Sequence, residues 1–199
     1  MLGLLARTII AAEYYTALHG GDNGVCHMLS PCSFEKTAQI AKEHDVVFIV
    51  GSYVEDPGDL ESLRVLLNQL LAKGVIVTSD NMVVNGSRYN PVGVAFIVVQ
   101  SAADSRIHKF HFTGFRTSIV CFRTVEKGVI SDSSFRDNHV EGGIGMLMFG
   151  VGKCKLDNCV IAENSVNRTS LISMFSTHLY LNETLITGNH AHHTTRQPL

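Results

Sequence analysis

Apolar and polar positions recur along the second half of the chain with a period in the twenties. Four segments align: Ile107–Phe115, Ile130–Asn138, Leu156–Asn164 and Leu181–Asn189. Each opens on an aliphatic residue and places an apolar residue five positions later, at Phe112, Phe135, Ile161 and Ile186. These anchors stand 23, 26 and 25 residues apart. In three of the four segments Asn follows three residues after the anchor, at Asn138, Asn164 and Asn189. The first segment departs with Gly114-Phe115, where Gly takes the corner because it accepts positive φ. A second apolar run falls between anchors at Ser118–Phe122, Gly145–Phe149 and Ser170–Phe175, each ending in Phe.

A repeat of this length predicts one turn of a β-solenoid. A single coil has no core, so coils must stack with strands parallel and about 4.8 Å apart. Phe112, Phe135, Ile161 and Ile186 then form a core ladder. Asn138, Asn164 and Asn189 form a turn ladder, because Asn tolerates left-handed φ and stacked amides bond to one another.

The N-terminal half follows another pattern. Ser30–Asp45 reads as a short helix, with Ser30 as N-cap, Pro31 at the first helical position, and Phe34, Ala38 and Ala41 on one face. Val46–Tyr53 reads as a strand buried on both sides. Leu60, Leu63, Leu66, Leu67, Leu70 and Leu71 recur at helical spacing, with Asp59 as N-cap and Gly74 just past the end. Val75–Thr78 and Met82–Val84 read as strands separated by a turn at Ser79–Asn81. Asn85-Gly86 is a further turn and Val94–Val99 a further strand.

The motifs Phe135-Arg136-Asp137-Asn138 and Gly142-Gly143-Ile144-Gly145 resemble the F-x-x-N and G-G-A-I signatures of the polymorphic outer-membrane protein repeat family. Ile161–Asn164 and Ile186–Asn189 are conservative variants of the first. The resemblance spans roughly residues 105–191. It implies an all-β, right-handed parallel β-helix of the pectin-lyase-like kind, exposed at a cell surface and often adhesive. The run of helix, Asp45, apolar strand and Gly51-Ser52-Tyr53 also resembles the start of pectin-lyase-like β-helices, where a helix plugs the open end. That analogy would instead lay Arg64–Leu67 as a strand of the first coil.

The expected organisation is an N-terminal segment over 1–29, a β-helix with its helical cap over 30–191, and a polar tail over 192–199. Met1–Ala12 is apolar apart from Arg7 and Thr8, and Ala11-Ala12 suits a signal cleavage point. It lacks a basic start, so a first strand, or a gene model that opens inside a longer β-helix protein, are the competing readings.

Composition narrows the function. Only 17% of the 199 residues are charged, against about 25% in an average domain, while 45% are hydrophobic. The net charge is −2 and no stretch gathers Lys and Arg, which argues against nucleic acid. No apolar run approaches the roughly 18 residues of a transmembrane helix. Of five cysteines, Cys26 and Cys32 are spaced to bridge a short loop, Cys121 lies in an apolar run, and Cys154 and Cys159 match no zinc motif. Asn85, Asn167 and Asn182 head sequons and are candidate glycosylation acceptors if the protein is secreted.

Candidate chemistry is sparse. Asp132, Asp137 and Asp157 lie on neighbouring coils, but Asp132 and Asp157 are expected in strands and Asp137 in a corner. Stacking sets Asp132 beside Asn158 and Asp137 beside Glu163, the pattern of a solvated corner. His108 and His111, three apart, point to opposite faces of an ideal strand and make poor shared ligands. His190, His192 and His193 fall at the polar tail. Gly142–Gly145 lacks the pattern of a phosphate loop. The sequence therefore nominates no catalytic, cofactor-binding or metal-binding residue. The expected function is a non-enzymatic, extracellular or cell-surface module that binds protein or glycan. The alternative is a polysaccharide lyase or hydrolase.

Overall fold

The computed structural model describes residues 11–23, 25–89, 95–100, 104–150 and 152–192. The chain opens with β1 (Glu13–Gly21), α1 (Phe34–Ile40), β2 (Val46–Val50), β3 (Tyr53–Val54) and α2 (Pro57–Ala72). Strands follow: β4 (Ile76–Asn85), β5 (Ile97–Val99), β6 (Ser105–Thr113), β7 (Val120–Phe122), β8 (Lys127–Ser131), β9 (Ser134–Arg136) and β10 (His139–Glu141). The last are β11 (Leu147–Phe149), β12 (Gly152–Asp157), β13 (Val160–Ala162), β14 (Ser165–Asn167), β15 (Ile172–Met174), β16 (Thr177–Asn182), β17 (Leu185–Thr187) and β18 (His190–His192).

The architecture is mostly β and β-helix-like. Every pairing among these strands is parallel, and they form three open sheets. Strands pair with the equivalent strand one coil later. Register partners lie 33 residues apart at Glu13/Val46, 30 at Val46/Ile76 and Ile76/Arg106, and 23 at Ser105/Gly128. They lie 26 apart at Lys127/Lys153 and 25 at Gly152/Thr177. The N-terminal coils are thus longer than the C-terminal ones.

Alternation within each strand sends one column inward. Phe112 faces Phe135, Phe135 faces Ile161, and Ile161 faces Ile186. The Phe112 and Phe135 rings stack at 5.2 Å and 12°. Ile107, Ile130, Leu156 and Leu181 make a second inward column. Burial is complete until the last coil, where Leu181 is 52% and Ile186 42% exposed. The corner asparagines lock the coils together. Asn138 Nδ2 donates to Asn164 Oδ1 at 2.9 Å, and Asn164 Nδ2 to Asn189 Oδ1 at 2.8 Å. The same side chains also donate to the backbone carbonyls of Phe112, Phe135 and Ile161. Phe115 stands at the corner where later coils carry Asn, and its N–H donates to Asn138 Oδ1 at 3.0 Å.

The helices differ from expectation at their starts. α1 begins at Phe34 with Ser33 as N-cap, not at Pro31 with Ser30. Cys32 is held elsewhere: it bridges to β1 at Thr16 and Gly21 and is disulfide-bonded to Cys26. α2 begins at Pro57 with Asp56 as N-cap, not Asp59, because Asp56 Oδ1 accepts from Gly58 N at 2.8 Å and Pro57 takes the first turn. Its leucines are fully buried, and residues 64–67 are helix, not strand. α2 runs beside β5, an edge strand of its sheet, and Asn68 Oδ1 accepts from Val98 N at 2.8 Å. An edge that would expose free N–H groups is covered there by the helix.

Other details also shift. β4 is one strand with a register shift between Thr78 and Met82, where Asn81 takes φ 57°, not two strands around a turn. The third Phe of the second run falls outside its ladder. Phe122 faces Phe149, but Phe149 faces Met174, leaving Phe175 54% exposed. Among the described residues parallel pairing starts at Glu13, inside the segment set apart over 1–29, where β1 pairs with β2. It continues through His192, the first residue of the expected tail. The strand expected over Val94–Val99 is described from Ile97 to Val99; Val94 and His193 lie outside the described residues.

Candidate functional site

The outward columns of the long sheet carry the chemistry. One column runs Tyr15, Phe48, Thr78, His108, Ser131, Asp157 and Asn182, one residue per coil. A second runs Val46, Ile76, Arg106, Val129, Lys155 and Tyr180. Successive rungs stand about 4.8 Å apart. The first column from Tyr15 to Asp157 and the second from Val46 to Val129 line a groove of about 980 Å³. Its rim includes Ser79 and Asp80 of the β4 irregularity, Lys109, and at one end Met28 from the loop closed by the Cys26–Cys32 disulfide.

Tyr15 and Phe48 stack face to face at 4.8 Å and 11°, both partly buried, and line the groove. An aromatic pair offers broad apolar contact without a strict hydrogen-bond code. Sequence reasoning missed this pair. The two residues lie 33 positions apart, on a longer coil than the period found downstream.

Beside them sits a polar cluster built from three coils. His108 Nδ1 is 3.0 Å from Ser131 Oγ and 3.1 Å from Asp132 Oδ2. Asn158 Nδ2 donates to Asp132 Oδ1 at 2.6 Å. Lys109, Asp132, Asn158 and Glu183 all hold left-handed φ, between 48° and 61°. This turn recurs in four coils without any fixed residue type, so no motif marks it. Asp132 is therefore a turn residue, not a strand residue, while Asp157 closes β12.

The left-handed turn at Lys109 also corrects the reading of the histidines. Strand alternation puts His108 and His111 on opposite faces, but the turn at Lys109 resets the phase. Ile107, Phe110 and Phe112 are buried, and both histidines face outward. His111 Nδ1 lies 2.8 Å from Ser134 Oγ, on the next coil. Burial pushes the His108 imidazole below its usual pKa, Asp132 opposes this, and Lys109 adds to it. Burial, then Arg136, lowers His111 likewise.

Asp157 is held below the usual carboxylate range by hydrogen bonds from Lys155, at 2.8 Å, and Asn182, at 2.6 Å. Asp137, with φ 54°, sits at the second corner, away from this groove. Asp132, Asp137 and Asp157 are thus not brought into one carboxylate cluster. Among the described residues no group of three or more His, Cys, Asp or Glu side chains is placed to hold a metal ion.

The sequon asparagines differ in setting. Asn85 Nδ2 donates to the Tyr53 hydroxyl, and its Oδ1 accepts from Ser87 N. Asn167 is partly buried, and its Oδ1 has no partner among the described residues. Asn182 is exposed on the last long strand. Cys121, Cys154 and Cys159 are buried free thiols, each raised in pKa chiefly by burial. No helix among the described residues is long and apolar enough to cross a membrane.

No family model matches the sequence, and no curated protein does. A solved structure of a rhamnogalacturonan lyase superposes at a TM-score of 0.45 with 11% identity. The overlap covers 95% of this chain, which spans 64% of the length of that structure.

Proposed function

We propose that the chain is a right-handed β-helix module, secreted or displayed at a cell surface, that binds an extended glycan along its outer groove. The observation that carries this reading is the Tyr15–Phe48 stack opening onto a groove of about 980 Å³. A linear ligand laid across the coils meets the aromatic pair first and then hydrogen-bonding groups at His108, Ser131 and Asp157. Such a mixture of one apolar platform and several polar contacts suits a sugar, which is apolar on its ring faces and polar around its edge. The Cys26–Cys32 disulfide supports an oxidising, extracellular setting. The F-x-x-N and G-G-I-G motifs support a surface module of the polymorphic outer-membrane protein type.

A glycan array probed with the full chain tests the reading. Binding to at least one extended glycan is expected, with a loss of about ten-fold or more when Tyr15 and Phe48 both become Ala. No binding to any glycan, or binding indifferent to that double substitution, would overturn it.

The second reading, a polysaccharide-degrading enzyme, is favoured by the setting of His108. Asp132 holds Nδ1, Asn158 holds Asp132, and Nε2 has no partner among the described residues. A neutral imidazole fixed in this way is the type of group a proton transfer uses. Turnover of a polysaccharide panel, lost in His108→Gln with binding retained, would favour it over the binding module.

A further inference from the structure

We infer that the middle of the groove is a subsite for an anionic substituent on the glycan, a carboxylate or a sulfate ester, held by Arg106 and Lys109. The inference rests on the glycan-binding reading above and names the ligand class.

Arg106 stands in the second outward column between Ile76 and Val129, so neither register neighbour offers it an acceptor. It is partly buried on the groove floor and makes no ion pair or hydrogen bond among the described residues. Removing a charge from water without a partner is costly. Two coils on, the same column carries Lys155, and there the cation is paired to Asp157 at 2.8 Å. The fold thus neutralises one cation of this column and leaves the other facing the groove.

Lys109 adds a second cation on the same coil. Its backbone is pinned in the left-handed turn, with its carbonyl accepting from Ser79 Oγ. Its ammonium is also without an ion pair within 4.0 Å among the described residues. The nearby carboxylates are mostly committed: Asp132 to His108 and Asn158, Asp157 to Lys155 and Asn182. Asp80, exposed on the facing rim, makes no ion pair with either cation.

An oxyanion entering here gains a charge-assisted contact at each cation. The flat guanidinium of Arg106 matches a carboxylate or sulfate in a two-point geometry, and Lys109 contributes a point charge. The neutral His108 ring beside them is left to bond a sugar hydroxyl. The aromatic pair two and three rungs away takes the neighbouring sugars, at about 10–15 Å.

Calorimetric titration of the full chain with three oligosaccharides tests this: an oligogalacturonate, a heparin-derived sulfated oligosaccharide and a neutral cello-oligosaccharide. At least one anionic ligand should bind about ten-fold tighter than the neutral one, weakening as salt rises. Which anionic ligand wins separates carboxylate from sulfate. Arg106→Gln should remove most of that advantage. Equal affinity for neutral and anionic ligands, or an anionic preference intact in both Arg106→Gln and Lys109→Gln, overturns the subsite while leaving glycan binding standing. Should Arg106→Gln fail to fold, Lys109→Gln and the salt dependence of the native chain decide. Binding of none of the three, alongside an array without hits, removes the glycan reading itself.

Discussion

Asn138 and Asn164 occupy the same corner one coil apart, and Asn164 Oδ1 accepts from both the backbone N and the Nδ2 of Asn138, at 3.1 and 2.9 Å. Asn164 repeats both contacts to Asn189 Oδ1, at 3.0 and 2.8 Å. Each amide therefore joins two coils and also satisfies a carbonyl inside the stack. Asn164→Ala strands two donors of Asn138 and the carbonyl of Phe135 in a buried corner. A loss of about 3 kcal/mol is expected from chemical denaturation. Asn189→Ala, at the more open end, should cost about 1 kcal/mol. Equal losses would argue against a ladder that becomes more buried toward the middle.

The core ladder makes a parallel prediction. Ile161 is fully buried between Phe135 and Ile186, whereas Ile186 is 42% exposed. Ile161→Ala should destabilise by about 3 kcal/mol and Ile186→Ala by about 1 kcal/mol or less. Denaturant midpoints for the two variants check this, and a larger loss at Ile186 contradicts the order of the coils.

Much of this stack could be read in the sequence, and the reasons are local. Phe112, Phe135, Ile161 and Ile186 keep one spacing from Ile107, Ile130, Leu156 and Leu181, because a parallel stack needs like residues at like positions. The groove could not be read the same way. Its aromatic pair sits on coils of 33 and 30 residues, outside the downstream period. Lys109 on its rim sits in a left-handed turn filled in successive coils by Lys109, Asp132, Asn158 and Glu183, four different side chains sharing one backbone state. That turn also puts His108 and His111 on the same side of the coil, against simple alternation. Lys155 has Asp157 two residues on, on the same face of its strand, where Arg106 has His108; that difference could be read in the sequence, while the apolar register neighbours of Arg106 could not.

Acid should weaken the fold through the histidines. His108 and His111 both have folded pKa values below the ordinary one, so between the two values the unfolded chain binds more protons. Their contribution is complete above about pH 6.5, falls as the pH drops through that value, and levels off once the folded rings also protonate. The melting temperature should therefore decline between about pH 7 and pH 5.5, and His108→Gln with His111→Gln should flatten the decline. A melting temperature that rises over this range would contradict the assignment.

Thiol chemistry separates the cysteines. Cys121, Cys154 and Cys159 are buried and held as thiols, so alkylation of the folded chain should label none of them. Unfolding without reductant should expose three thiols, and unfolding with reductant all five. Replacing Cys26 and Cys32 by Ser should cost about 2 kcal/mol and loosen the Met28 rim of the groove. Intact-mass measurement of alkylated protein reads the labelling. Rapid labelling of folded protein would place a thiol at the surface.

The groove, the three-coil cluster around His108 and the unpaired Arg106 all depend on coils stacked in parallel register. Paired cysteines at His139 and Ser165, which face each other across adjacent coils, test that register directly. Neighbouring strands lie close enough for a disulfide, whereas His139 and Asn167 are offset by two residues, about 8 Å apart. Peptide mapping after mild oxidation should find the 139–165 crosslink and no 139–167 crosslink in folded protein. A 139–167 crosslink forming as readily, or no 139–165 crosslink at all, would contradict the stacking from which the rest follows.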